Sequence, residues 1–136
     1  MMISTRGRYA LRVLVDLAEN GSGGGYIPLR DIAERQNISH KYLESIMTAL
    51  SKAGLVDAAG GKCGGYRLNR APEDYRAGDV LRLTENDLAP VACLCDDAAP
   101  CEHAADCRTL PLWSRLYEQI NQCIDSVTLA DLMLKQ

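Results

Sequence analysis

No apolar run in this 136-residue sequence is long enough to span a bilayer, and Asp16 and Glu19 interrupt the run that follows the basic start. That start, Met1 to Arg12, is not patterned as a signal peptide, so a cytoplasmic chain is expected. The chain also lacks a Cys-x-x-Cys pair, an HExxH helix and a recognisable Ser/His/Asp constellation, and only His40 and His103 offer imidazoles. Those absences make a small metal or redox enzyme the least favoured function class. The glycines around Lys62 are not followed by Gly-Lys-Ser/Thr and a helix, which excludes a nucleotide phosphate loop. Low-complexity runs are missing as well, and 47% hydrophobic residues indicate a folded protein with one core.

What is present is unevenly distributed. Residues 1–70 hold ten Lys/Arg against six Asp/Glu, a net of +4, while residues 71–136 hold five against twelve, a net of −7. A basic half joined to an acidic half suggests two tasks, the first of them approach to a polyanion. We therefore expect a DNA-binding unit over 1–75, and a sensor and dimerisation unit over 76–136.

The first half reads as three helices and a hairpin. Ser4 or Thr5 can cap a helix starting near Arg6, with Ala10, Val13, Leu14, Leu17 and Ala18 on one buried stripe. Asn20-Gly21 and the glycines after Ser22 end it, and Tyr26-Ile27 is a very short extended piece. Pro28 suits the start of a second helix with Leu29, Ile32 and Ala33 inward, stopped by Asn37 in a left-handed conformation. After a tight turn Ser39 caps a third helix, with Ile38 and Leu43 as a hydrophobic staple. Its buried face is Leu43, Ile46, Met47 and Leu50. Its outer face is His40, Lys41, Glu44, Ser45 and Thr48, polar and short. Gly54 ends the helix, and strands over residues 55–58 and 66–68 flank a glycine-rich tip. Two helices across a tight turn followed by a hairpin make a winged helix-turn-helix, whose second helix enters the major groove and whose wing reaches backbone or minor groove. The fold class expected is thus mainly α with a small β-hairpin wing and a long dimerisation helix.

In the second half Pro72-Glu73-Asp74 reads as a linker, and Val80, Leu81 and Thr84 share one side of a short helix. A loop over residues 91–108 then carries Cys93, Cys95, Cys101, His103 and Cys107 among small residues and Pro100. In a reducing compartment, thiolates gathered on such a loop suit a soft metal better than a packed core or disulfides. An iron–sulfur cluster and four-coordinate zinc both fit these residue types, and thiol oxidation is a further reading. Cys123, by contrast, is expected as an ordinary small core residue. Thr109 and Pro111 open a longer helix on which Trp113, Leu116, Tyr117, Ile120, Cys123, Ile124 and Val127 form a seam suited to pairing two copies. Thr128 to Asp131 has the form of a capping box opening a last short helix.

Several segments, in order, resemble the Rrf2 family of bacterial transcription regulators. They are residues 2–11, 38–44, 54–56, 64–66, 77–80, Leu112-Trp113 and 127–131. The resemblance implies a dimeric winged-helix repressor, bound to double-stranded DNA, whose long helix forms the dimer interface. It implies that Cys95, Cys101 and Cys107, which match the evenly spaced cysteine triad of cluster-binding members, ligate a 2Fe-2S or 4Fe-4S cluster. That cluster would sense iron–sulfur status, oxygen or nitric oxide. Fourth ligands known in the family fall on Leu110 and Arg8 here, so Cys93 and His103 are the local candidates. The DNA-contacting set implied is Arg6 and Arg8 on phosphates, Ser39, His40, Lys41, Tyr42 and Glu44 on the recognition helix, and Lys62 in the wing. Gly60 stands where one relative has a minor-groove arginine. A cysteine-metabolism regulator of the same family, acting with a protein partner and without the triad, is the alternative.

Overall fold

A computed structural model describes residues 2–134 of the chain. Helix α1 (Thr5–Asn20) begins where the sequence supplies a cap: Ser4 Oγ accepts the Gly7 N–H at 3.0 Å, satisfying a backbone donor that has no partner inside the helix. Ala10, Val13, Leu14 and Leu17 are buried as the spacing predicts, and Ala18 is half-buried. Helix α2 (Leu29–Gln36) starts after Pro28 and stops at Asn37, which is left-handed with φ 53°. In α3 (His40–Lys52), Ser39 Oγ accepts the Tyr42 N–H at 3.2 Å, and Leu43, Ile46, Met47 and Leu50 are buried. Ile38 joins the same core, as a staple should. The Leu55 N–H returns to the Leu50 carbonyl at 3.0 Å around Gly54, closing the helix end.

Strands β1 (Val56–Ala59) and β2 (Gly65–Leu68) pair antiparallel, with Val56 opposite Leu68 and Ala59 opposite Gly65. The first strand is shifted by one residue from its expected span, and the second starts one residue earlier and ends where expected. The short piece at Ile27 bridges to Tyr66 through two backbone hydrogen bonds of 2.8 and 2.9 Å, extending the wing by a third edge. Gly65 makes that approach possible: at φ 146°, a Cβ there would lie 2.0 Å from the Ile27 carbonyl oxygen.

Pro72–Asp74 forms a 3₁₀ turn and is followed by a buried residue, Tyr75, which sequence reading had not assigned to the core. Its Oη donates to the Leu55 carbonyl at 2.6 Å and accepts the Asn69 N–H, and its ring packs in one core with α1, α2 and α3. Helix α4 (Ala77–Thr84) and α5 (Leu110–Ser126) pack on each other, and α6 (Leu129–Leu132) returns the chain to α1. The capping box is present: Thr128 Oγ1 accepts the Asp131 N–H, and the Asp131 carboxylate accepts the Thr128 N–H. Val127 lies beyond α5 rather than on its seam, and its carbonyl accepts the Ala77 N–H at 2.8 Å. This return brings Leu129 into the core at 0% exposure.

Candidate nucleic-acid interface and thiol centre

The outer face of α3 is what a reading helix requires. His40, Lys41, Glu44, Ser45 and Thr48 are all exposed, and none of the five interrupts the buried stripe beneath. Ser39 spends its hydroxyl on the cap, so its role toward a ligand is to fix the helix start, where unpaired N–H groups and the positive helix end favour a phosphate. Tyr42 is half-buried and meets the Tyr9 ring edge-on at 5.9 Å between centroids, which ties α3 to α1. Arg6 reaches the same face. Its guanidinium donates to Ser45 Oγ at 3.1 Å and to the Ser45 carbonyl at 3.4 Å. Arg8 points elsewhere, donating to Thr5 Oγ1 at 3.1 Å, and lines a groove of about 520 Å³ with Tyr9, Arg12 and Gln36. Lys62 is exposed at the wing tip, where Gly61 has φ 88° and the Gly64 N–H turns back to the Gly61 carbonyl.

Arg12 was missed by sequence reading. It sits 5.2 Å from the Tyr9 centroid and donates twice to Gln36, at the turn between α2 and α3. Asp16 was read only as a break in an apolar run. It is 2% exposed and receives a two-pronged bond from Arg35, at 2.7 and 3.0 Å, plus one from Gln36 Nε2 at 2.8 Å. The Asp16 bond holds Arg35 above its ordinary pKa. An acid on the buried side of α1 was the available signal, since a buried carboxylate needs a cation, and here Arg35 of α2 supplies it.

The cysteine loop lies between α4 and α5. All six cysteines are free thiols. Cys93, Cys95, Cys101 and Cys107 line one cavity of about 280 Å³, together with Leu110 at the start of α5. Among the described residues no three His, Cys, Asp or Glu side chains stand close enough to hold one ion, so the thiols share a cavity without converging on a point. Their environments differ. Cys107 Sγ lies 3.6 Å from Thr109 Oγ1, and that contact with the N–H groups opening α5 pulls its thiol down toward thiolate. Burial and the neighbouring Asp87 carboxylate push the Cys95 thiol up. Asp87 itself is held below the usual carboxylate range, mainly by accepting the Ala89 N–H at 2.7 Å. Cys123 is exposed on α5, not a core residue, because the helix face that carries it has nothing from this chain over it. Cys63 is exposed in the wing.

A second feature ties the loop to the reader. Glu85, the residue after α4, accepts the Ser4 N–H and, at 2.6 Å, the Ser4 hydroxyl. The root of the cysteine loop therefore grips the residue that caps α1, two positions before Arg6. Nothing local in the sequence marks this bond, which joins positions 81 residues apart.

The family described as "Rrf2: Iron-dependent Transcriptional regulator" matches residues 3–135. The chain belongs to the Rrf2 family of transcriptional regulators. Protein rrf2 of Nitratidesulfovibrio vulgaris is 40% identical over 134 residues, covering 98% of this chain and 87% of that protein. The structure of CymR, the global cysteine regulator of B. subtilis, superposes with a TM-score of 0.77 at 36% identity, covering 97% of this chain and 95% of that one. IscR of T. potens superposes with a TM-score of 0.76, also at 36% identity, covering 97% and 85%. As an Rrf2 regulator the chain is a DNA-binding winged-helix protein and not an enzyme, and among the described residues no helix is long and apolar enough to cross a membrane.

Proposed function

We propose that this Rrf2 regulator is a homodimeric repressor whose operator affinity is set by an iron–sulfur cluster held on Cys95, Cys101 and Cys107. The observation that carries the reading is the shared cavity: three evenly spaced thiols from a loop of small residues face one space at the N-terminus of α5. Thiolate sulfurs are the donors such clusters take, and a helix N-terminus favours the anionic form of Cys107. The same donors accept zinc, so metal identity is decided by analysis and not by residue type. When bound, the cluster supplies sensitivity to iron supply, oxygen or nitric oxide.

The chain's own residues do the rest. Residues 1–75 read DNA: α3 presents His40, Lys41 and Glu44 to base edges, from the start that Ser39 fixes and the footing that Tyr42 has on Tyr9. Arg6 beside that face and Arg8 off it meet phosphates, and Lys62 carries the wing to the backbone. Residues 76–136 sense and pair, although Val80 and Leu129 share the reader's core. Pairing is supported by α5, which buries none of its residues in the single chain and leaves Leu112 56% and Leu116 41% exposed. A change at the loop can reach the reader because Glu85 grips Ser4, and Arg6 bridges α1 to Ser45. Operator affinity then changes by linkage, to the extent that the loop's two states hold Ser4 differently.

The likeness to CymR, equal in extent to that to IscR, supports a second reading: a regulator of cysteine metabolism, acting with a protein partner or through thiols alone. One experiment separates them. Anaerobically purified protein is analysed for iron, sulfide and zinc, and its affinity for DNA selected from random sequence is measured with and without oxygen. The cluster reading expects iron and sulfide together, visible absorption, and an oxygen-dependent change in affinity. Colourless protein without iron and sulfide overturns it.

A further inference from the structure

We infer that Cys93 is the fourth ligand of the thiol centre, giving an all-cysteine set, and that His103 lies outside it. The inference rests on the cluster reading above and names the residue that completes it. Four thiols, those of Cys93, Cys95, Cys101 and Cys107, line the same cavity, and His103 does not. The backbone places each residue. A 3₁₀ turn over Ala92–Leu94, with the Leu94 N–H bonded to the Val91 carbonyl and the Cys95 N–H to the Ala92 carbonyl, curls the chain tightly. Cys93 lies within this turn and Cys95 at its exit, with Leu94 between them, and both border the one space. His103 sits in a later turn, where its carbonyl accepts the Asp106 N–H, and it is exposed and absent from the cavity lining.

Carboxylates are poor competitors. Asp87 touches Cys95 but does not line the cavity, and its two oxygens already accept the Ala89 and Asp96 N–H groups. Asp96, Asp97, Glu102 and Asp106 are exposed and also absent from the lining. The remaining wall is Leu94, three alanines, Pro100 and Leu110, none of which carries a side-chain donor atom. With three sulfurs placed, a fourth is the one further side-chain ligand the cavity offers, and four thiolates are the ordinary complement of iron–sulfur clusters.

The test compares full-length wild type with Cys93→Ala, His103→Ala and Cys101→Ala, each reconstituted anaerobically with iron and sulfide. Iron and sulfide per protomer, visible absorption and the electron paramagnetic resonance of the reduced cluster are measured. Cys93 and His103 are both exposed, so neither substitution removes core packing, and far-ultraviolet circular dichroism verifies the fold. Cys93→Ala is expected to lose about half or more of its iron and sulfide and to change its resonance, while His103→Ala matches wild type. The inference is overturned if Cys93→Ala keeps wild-type content and spectra, or if His103→Ala is the variant that loses them. Wild type that takes up no iron and sulfide, and so matches Cys101→Ala, overturns the cluster reading and this inference together. Loaded wild type beside unaffected Cys93→Ala removes this inference alone.

Discussion

Helices α3 and α5 carry apolar residues at the same three- and four-residue spacing, yet they end in opposite states. In α3, Leu43, Ile46, Met47 and Leu50 are at most 1% exposed, covered by α1, α2 and the first strand. In α5, Trp113, Tyr117, Ile120 and Ile124 are half-buried and no residue is fully buried. Helical periodicity states that a face must be covered; it does not state by which chain. The reader's core is closed within the chain, with Val80 and Leu129 lent by the second half, whereas α5 is attached chiefly through α4 and open along its length. That contrast suits a regulator in which the reader is rigid and the sensor is completed from outside by a cofactor and a second copy.

The strongest way to break the contrast is to charge the open seam. Ile120→Glu places a carboxylate where a partner helix would pack, while disturbing nothing inside the reader's core. Dimerisation should be lost in sedimentation, with unfolding of the reader retained, and operator affinity should fall by roughly a hundredfold, the scale of joining two half-site contacts. If Ile120→Glu stays dimeric and binds normally, α5 is not where copies pair.

A smaller effect, from the opposite side of the comparison, comes from the reader's interior. Asp16→Ala removes the acid that Arg35 and Gln36 both grasp and leaves that guanidinium without its partner. Breaking a fully buried pair costs about 3–5 kcal/mol, and Arg35 is 38% exposed and partly recovers water, so about 2 kcal/mol is expected. Urea unfolding measures it. A loss within error of zero would mean that the Asp16 pair adds nothing to what holds α1 against α2.

These cases show which parts were legible from residue order. Ser4, Asn37, Ser39, Gly54 and the Thr128–Asp131 box act within a few residues of themselves, so local chemistry determines where helices start and stop, and each sits at the terminus it was expected to set. The wing was legible for the same reason, to within one residue at each strand. Tyr75, Asp16 and Glu85 were not, because each acts on a partner 19 to 81 residues away: Tyr75 on Leu55, Asp16 on Arg35 and Glu85 on Ser4. Cys123 was misplaced because a small apolar-like residue on a periodic face looks the same whether its own chain or another covers that face. The thiol triad was visible as spacing, while its sharing of one cavity with Cys93 depends on the path of the whole loop, which spacing does not specify.

The smallest expected effect probes a polar joint inside the second half, between α4 and α5. Arg82 on α4 forks onto Asp125 of α5 at 2.7 and 2.9 Å and donates to Asn121 at 3.0 Å, and Gly78 lets the carboxylate approach, since a Cβ there would lie 2.1 Å from Asp125 Oδ1. The Arg82 bond holds the Asp125 carboxyl below its ordinary range and raises Arg82. A carboxyl whose folded pKa is depressed adds stability that is fully present above its unfolded pKa and is lost as pH falls through the folded one. Wild type should therefore exceed Asp125→Asn in stability at neutral pH, and the two should converge in acid, below the ordinary carboxylate range. Both side chains are more than a third exposed, at 41% and 37%, so screening by solvent limits the difference to under about 1 kcal/mol. Paired urea titrations at fixed protomer concentration across that pH span would detect it. A difference that persists unchanged in acid would assign the loss to the altered shape at position 125 and not to the ion pair that joins α5 to the body.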